Sequence, residues 1–361
     1  MVKKNNIKVI ILAGGQGERF WPWSRFNYPK QFVKLPLTNS NTSKSLFQSS
    51  CERGRAITSP DNVVVVATAN YARLIKQQIP WLKPANIILE PFGKNTAIAI
   101  ATACAKRVIS EETVFVMPAD HYIPDTGRFL GVAKQSIHVA QTHNVLVTIG
   151  ITPNRPEPGF GYLKTGARLD TGKGPDVWHV AKFVEKPGAV RAKKMLREKK
   201  WRWNSGMFAW KREAFIDGLR SYMPEHYKAL TALSKDNLRQ VYNKAPDISV
   251  DYGLMERADN VVMVDGNFKW YDLGTWDAIY EVGKKDSKGN VLLGDKSRVC
   301  LKDTSNTLVA TKDRTPLVAC TGIKDSLIIA TPDVLLVLPR GKGQKVRDIY
   351  RVVSEKNAKL K

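Results

Sequence analysis

Three glycines stand close together in Gly14-Gly15-Gln16-Gly17-Glu18-Arg19, directly after the apolar run 9–13. Glycines let a backbone approach a phosphate closely, and successive N–H groups can cradle its oxygens. Arg19 and, further along, Lys30 can supply positive charge nearby. The loop lacks the Gly-Lys-Ser/Thr ending of a Walker A loop. It also lacks the acidic residue roughly 20 positions on that would hold a dinucleotide ribose. After Glu18 the next acidic residue is Glu52, so dinucleotide binding is disfavoured.

Carboxylates form the second group of candidates. The buried-looking run 114–117 leads into Pro118-Ala119-Asp120-His121. Ligands of open α/β sheets sit beyond the carboxyl ends of the strands, which is where Asp120 falls. By itself Asp120 reads equally well as a turn or helix-cap residue. Glu90-Pro91-Phe92-Gly93-Lys94-Asn95-Thr96 reads, unaided, as a strand exit and a helix start capped by Asn95 or Thr96. Glu185-Lys186, unaided, reads as an exposed ion pair.

These residues need a scaffold, and the pattern around them supplies one. Short β-branched runs at 9–13, 63–68, 86–89, 114–117 and 145–149 alternate with helical patterns at 69–78, 96–109 and 126–142. That alternation predicts βαβ units, hence a Rossmann-like, mainly parallel mixed sheet with helices on both faces. From Pro153 the pattern loosens. Strands are expected at 161–163, 177–184, 207–210, 261–264 and 268–271, with a basic helix over 189–200. After Lys284 short strands recur at 291–293, 298–301, 307–311, 317–321, 326–331 and 334–338, an α/β-to-all-β change that reads as a small β-helix-like part. Val346, Ile349, Tyr350 and Val353 then line one apolar stripe of a last helix. The predicted division is therefore an α/β part over 1–284 and a β-rich part over 285–361.

Composition excludes several classes. Hydrophobic residues at 43% and charged residues at 25% are ordinary for a globular chain with a sizeable core. The formal net charge of +24 favours anionic partners, although most of it reads as solvated surface. Basic residues cluster over 182–202 and after Arg340, but zinc-finger spacing, an RNP motif and a convincing helix-turn-helix are all missing, so nucleic acid is not expected as a partner. Cys51, Cys104, Cys300 and Cys320 have no metal-ligand spacing and suit a reducing compartment. Lys3 and Lys4 precede an apolar run too short for a signal-peptide core. No run approaches a membrane span, and a cytoplasmic protein is expected.

Residues 12–32 read LAGGQGERFWPWSRFNYPKQF. This closely resembles the signature of nucleotidyltransferases that activate sugars, in particular the mannose-1-phosphate guanylyltransferase (GDP-mannose pyrophosphorylase) branch. The Trp-Pro-x-Ser-Arg and Pro-Lys-Gln-Phe segments carry that resemblance. Five further blocks follow in family order between residues 7 and 283: Glu90 to Ala97, Pro118 to His121, Gly159-Phe160-Gly161-Tyr162, Val184-Glu185-Lys186-Pro187 with Trp203-Asn204-Ser205-Gly206, and Trp270 to Trp276. Lys94 and Ile98 stand where the family commonly has Arg and Pro. The chain is too short to carry the isomerase domain that some members add.

The resemblance implies roles. Leu12, Ala13, Gly14, Gly15, Gly17, Arg19, Lys30, Glu90, Asn95, Thr96 and Asp120 would bind the nucleotide. Gly161, Tyr162, Glu185, Lys186 and Asn204 would bind the sugar phosphate, with Asp251, Tyr252 and Glu256 in support. Asp120 and Asp272 would hold Mg²⁺, which takes few carboxylates and completes its shell with phosphates and water. His121 would pack on or orient Asp120. The expected reaction converts GTP and mannose 1-phosphate to GDP-mannose and pyrophosphate, with Arg19, Lys30, Asp120, Lys186 and Asp272 as its catalytic group. The alternatives are another sugar 1-phosphate or nucleotide, or a catalytically silent sugar-nucleotide-binding regulator. The final helix admits a homodimer.

Overall fold

The computed structural model describes residues 6–37, 44–172, 174–234 and 236–360. Lys3 and Lys4 lie outside the described residues. Contacts group the chain into two compact units that interleave along the sequence. The first takes the described parts of Met1–Gly14, Ser50–Ala119 and Ile123–Trp270, the second those of Gly15–Ser49, Asp120–Tyr122 and Tyr271–Lys361. The helix α1 (Leu46–Ile57) runs through the division.

The first unit holds a nine-stranded sheet of β1 (Ile7–Leu12), β2 (Val63–Thr68), β3 (Ile87–Glu90), β4 (Thr113–Pro118), β5 (Leu146–Ile151), β6 (Tyr162–Leu169), β7 (Val177–Val184), β8 (Trp201–Lys211) and β9 (Val261–Asp265). The spatial order is β3-β2-β1-β4-β8-β5-β9-β7-β6. β3, β2, β1 and β4 are parallel, with Val9 facing Val63 on one side and Phe115 on the other. The run Val63 to Ala67 is buried throughout, as a strand covered on both faces requires. β8 runs antiparallel to β4 and β5, and β6 and β7 are also paired antiparallel, so the sheet is mixed.

The helices of this unit are α2 (Ala72–Gln78), α3 (Asn95–Arg107), α4 (Thr126–Thr142), α5 (Ala189–Arg197), α6 (Arg212–Tyr222), α7 (Pro224–Thr231) and α8 (Leu238–Lys244). α3 is buried from Ala97 to Cys104, because Ile100 faces the sheet core while Ile98 packs with Val241 and Tyr242 of α8. The strand expected over 268–271 does not form. Phe268 and Trp270 are spent on aromatic packing, at 5.5 Å from Phe129 and 5.3 Å from Phe160, and Tyr271 makes only an isolated bridge to Tyr122.

The second unit contains α9 (Trp276–Val282), then β10 (Val291–Gly294), β11 (Val299–Lys302), β12 (Leu308–Thr311), β13 (Val318–Thr321), β14 (Ser326–Ala330) and β15 (Leu335–Pro339), and ends in α10 (Val346–Lys356). β10, β12 and β14 stack in parallel, β15 closes that sheet antiparallel, and β11 pairs with β13 in a second sheet. This is the β-rich, β-helix-like part. Its inward residues Val291, Leu308, Leu327 and Ile329 share one core with Phe20, Trp21, Trp23 and Trp276.

Three of the four stripe residues of α10 join that core: Val346 and Tyr350 are buried and Val353 packs at its edge. Ile349 does not; it is 41% exposed. The helix is anchored by these residues and by Trp21, whose ring meets Tyr350 edge-on at 6.5 Å. Val346→Ala is therefore expected to cost roughly 1–2 kcal/mol by loss of buried methyl groups. Ile349→Ala should stay within about 0.5 kcal/mol of the parent. Denaturant unfolding of the two variants measures this, and equal losses would contradict the assigned face.

Candidate active site

Lys30 is the hub of the polar residues in the second unit. Its Nζ stands 2.9 Å from Oδ2 of Asp120 and 3.6 Å from Oδ1 of Asp272, and donates to the Asp272 carbonyl at 2.7 Å. The residue is only 4% exposed, so the ammonium depends on these acceptors. The carboxylates keep an open side, their side chains being 38% and 28% exposed. Burial pushes the Asp120 carboxyl up, but the Lys30 ammonium, helped by His121, outweighs it and holds the group below the usual carboxylate range.

The local backbone explains why these groups meet. Gly17 has φ +65°, and a Cβ there would stand 2.6 Å from Cβ of Lys30 and 2.8 Å from its nitrogen, so only glycine lets the loop pass. Gln31 donates to the Gly15 carbonyl at 2.9 Å and Ser24 to the Gly17 carbonyl at 2.8 Å. Leu273, next to Asp272, has φ +48°, an uncommon value for a bulky residue. Packing holds it there. Leu273 is buried in the aromatic core, and Trp276 stacks on Phe20 at 4.2 Å and donates its indole N–H to the Trp21 carbonyl at 3.0 Å. The Trp21-Pro22-Trp23 segment thus fixes the turn that presents Asp272. Arg19 donates from Nη1 to Oε1 of Gln344 at 2.9 Å, and among the described residues no carboxylate pairs with it.

The first unit carries the remaining nucleotide-side candidates. Leu12 ends β1, and the Ala13 N–H donates to the Val66 carbonyl at 2.8 Å. A Cβ on Gly14 would stand 2.9 Å from Oε2 of Glu90. Glu90 is buried, and its Oε1 accepts from the Tyr242 hydroxyl at 3.1 Å. Burial dominates over that hydrogen bond and raises the carboxyl to about 7. The expected cap of α3 is seen in part: Lys94, at the N-cap position, makes no side-chain cap bond, but Oδ1 of Asn95 accepts the Thr96 N–H at 3.1 Å. Asn95, at φ +65°, also donates from Nδ2 to Asp247 at 3.2 Å, and the Thr96 hydroxyl accepts the Val250 N–H at 2.9 Å. Lys94 donates to the carbonyls of Tyr242 and Asn243 at 2.6 and 2.9 Å, anchoring the end of α8.

The sugar-side candidates also converge within the first unit. Asn204 in β8 donates its N–H to the Gly161 carbonyl at 2.8 Å, and any side chain at Gly161 would collide with Oε2 of Glu185. The side chain of Glu185 is only 7% exposed and is ion-paired with Lys186, which sits at φ +47° with its ammonium 5.5 Å from the centre of the Tyr252 ring. Oε2 of Glu185 accepts no hydrogen bond among the described residues, so it favours a ligand that brings hydroxyl donors. Tyr162 lies beneath, fully buried, its hydroxyl accepting the Glu157 N–H at 2.9 Å. Two residues enter that the sequence pattern undervalued. Asp251 accepts from Nδ2 of Asn204 at 2.7 Å, and Thr148 donates to Oδ1 of Asn204 at 2.8 Å, which fixes the amide's orientation. Burial first, then Glu185, raises the Asp251 carboxyl to about 6. Thr148 gives no sequence signal, being one more β-branched residue in a buried strand.

A cavity of about 290 Å³ on the α5 side of the sheet is lined by Lys164, Lys182, Arg191, Lys194, Met195, Glu198 and Trp201. It contains none of the candidates above and accounts for part of the basic excess.

The raised carboxyls have a consequence for stability. A carboxyl raised on folding is protonated in the native state where it is ionised in the unfolded one, so its contribution is full below the ordinary value and is lost as pH rises through the raised value. For Glu90 that window runs from 4.5 to about 7. Glu90→Gln should match the parent near pH 5 and exceed its stability at pH 8 by on the order of 3 kcal/mol. Denaturant unfolding at both pH values checks this; an unchanged difference between them would remove the assignment.

Comparisons with known proteins identify the family. The nucleotidyl transferase family model matches residues 8–289, and the model of the MannoseP isomerase/GMP-like beta-helix domain matches 286–353. A mannose-1-phosphate guanylyltransferase of Escherichia coli is 35% identical over 357 residues, 95% of this chain and 74% of the relative. The alginate biosynthesis protein AlgA of Pseudomonas putida is 33% identical over 96% of this chain and 71% of its own. A crystal structure from Thermus thermophilus, described as a mannose-1-phosphate geranyltransferase, superposes with a TM-score of 0.85 at 30% identity, covering 97% of this chain and 99% of that one. The chain therefore belongs to the nucleotidyl transferase family, in the group of mannose-1-phosphate guanylyltransferases with a β-helix domain, and is a nucleotidyltransferase.

Proposed function

We propose that the chain transfers a guanylyl group from GTP to α-D-mannose 1-phosphate, giving GDP-mannose and pyrophosphate. The observation that carries the reading is the buried Lys30 held between Asp120 and Asp272, in a family that transfers nucleotidyl groups. A phosphate oxygen of the sugar phosphate forms the new bond to the α-phosphorus, and the bond to the pyrophosphate oxygen breaks in line. The nucleophile is already anionic at neutral pH, so no residue has to remove a proton. Positioning and charge neutralisation then carry the rate. Arg19 and Lys30 neutralise the phosphates, Lys186 places the sugar phosphate, and Glu185, Asn204 and Asp251 receive the sugar hydroxyls.

The donor set suits Mg²⁺. Asp120 and Asp272 are hard oxygen ligands, each with an open side, and among the described residues no third His, Cys, Asp or Glu joins them. A site with two carboxylates leaves the remaining positions to substrate oxygens and water, as Mg²⁺ prefers. When bound, the ion would supply Lewis-acid charge to the phosphates.

No helix among the described residues is long and apolar enough to cross a membrane. The free thiols Cys51, Cys104 and Cys320 are buried and Cys300 is exposed, which supports a reducing, cytoplasmic setting. The test of function is a substrate matrix: four nucleoside triphosphates against the 1-phosphates of mannose, glucose and N-acetylglucosamine, with pyrophosphate as readout. GTP with mannose 1-phosphate should give the highest kcat/KM. A higher value for another pair would replace the substrate assignment, and no turnover with any pair would replace catalysis by binding.

A further inference from the structure

The turn between β15 and α10 is clamped. Both carboxylate oxygens of Asp277, in the first turn of α9, are used: Oδ1 accepts the Gly341 N–H at 2.6 Å and Oδ2 the Gly343 N–H at 2.8 Å. The next residue, Gln344, points its amide oxygen at Arg19 and accepts from Nη1 at 2.9 Å. One turn further, Arg347 pairs with Glu18 at 2.8 Å. The C-terminal segment therefore holds two successive residues of the glycine loop, although 325 positions separate Gln344 from Arg19. The same Asp277 lies five residues after Asp272.

The choice of partner matters. Arg19 has several N–H donors, and Gln344 is shown taking one of them through a neutral acceptor. An amide orients a guanidinium without cancelling its charge, leaving that charge for a phosphate; a carboxylate in its place would pair with it bidentately and compete. We infer that Gln344 is a positioning residue of the nucleotide site: it orients Arg19 toward the triphosphate while leaving the guanidinium electrostatically available. This rests on the reading of Arg19 as a triphosphate ligand.

The test is a double-mutant cycle on the full chain, with GTP affinity measured by equilibrium titration and KM measured for each substrate. Gln344→Glu should weaken GTP binding about fivefold, the scale of one added partly exposed ion pair. Gln344→Ala should weaken it about twofold. KM for the sugar 1-phosphate and the melting temperature should not move. In the Arg19→Ala background, Gln344→Ala should have no further effect on GTP binding. An equal factor in both backgrounds, or no effect in the parent, overturns the positioning role while leaving Arg19 as a ligand. GTP binding unchanged by Arg19→Ala alone overturns the reading of Arg19 and the inference with it.

Discussion

Asp120→Asn and Asp272→Asn should each lower turnover by about 100-fold or more while the fold survives, the size expected for removing one group that stabilises transition-state charge. The fold should survive because Lys30 keeps acceptors in either variant. Asp120→Asn leaves the carboxylate and carbonyl of Asp272, and Asp272→Asn leaves Asp120 and the same carbonyl. The loss should be in kcat/KM and should be accompanied by a weaker dependence on magnesium. Initial rates of pyrophosphate release across a magnesium series, with denaturant unfolding as the control, measure both. Near-parental rates with parental magnesium dependence in both variants would remove the metal assignment.

The second large effect separates two cations. Lys186→Ala should raise KM for mannose 1-phosphate by roughly 10- to 100-fold, the range of a hydrogen bond to a charged group, with KM for GTP little changed. Lys30→Ala should instead lower kcat by about 100-fold or more, because its charge is proposed to act as the α-phosphorus reacts. Both losses also bear on stability. Lys186 is half-exposed, but its partner Glu185 has a side chain only 7% exposed, so its loss leaves that carboxylate without counter-charge and should lower stability as well. Lys30 is buried, but the carboxylates it pairs with are 38% and 28% exposed, so its loss leaves partly solvated carboxylates without counter-charge, a cost of about 1–2 kcal/mol. Each substrate is varied at saturation of the other, and melting is followed for both variants. If Lys186→Ala raised KM for GTP and spared the sugar phosphate, the assignment of the two lysines to different substrates would be reversed.

What was legible in the sequence is what a short stretch of backbone settles by itself. The run 63–68 announces a doubly covered strand because it is almost wholly apolar, and it folds as one with the same bounds. The glycines at 14, 15 and 17 mark a loop that must pass close to other groups, and Gly17 does so against Lys30. Asp120 follows a buried strand after one intervening residue, and Glu185-Lys186 directly follows a half-exposed one, so their places at strand ends could be read from residue order. The strand expected over 268–271 shows the limit of that reading. Its alternating aromatic pattern is compatible with a ladder, yet Phe268 and Trp270 lower their free energy more by packing on Phe129 and Phe160.

Only the tertiary structure decided which polar groups are partners. Lys30 reaches the Asp272 carbonyl across 242 positions, Tyr242 reaches Glu90 across 152, and Arg19 reaches Gln344 across 325. Asp251, which the sequence placed in a supporting role, is the residue that holds the Asn204 amide. Periodicity reports which side of an element faces a core, and a motif reports the backbone its own residues adopt. Neither reports which distant chain segment will lie opposite. For Lys30 and Arg19 it was set by the aromatic core of Phe20, Trp21, Trp23 and Trp276, whose burial together with the strands after Val291 brings Gly15 to Arg19, Asp120, Asp272 and the C-terminal turn into one compact unit.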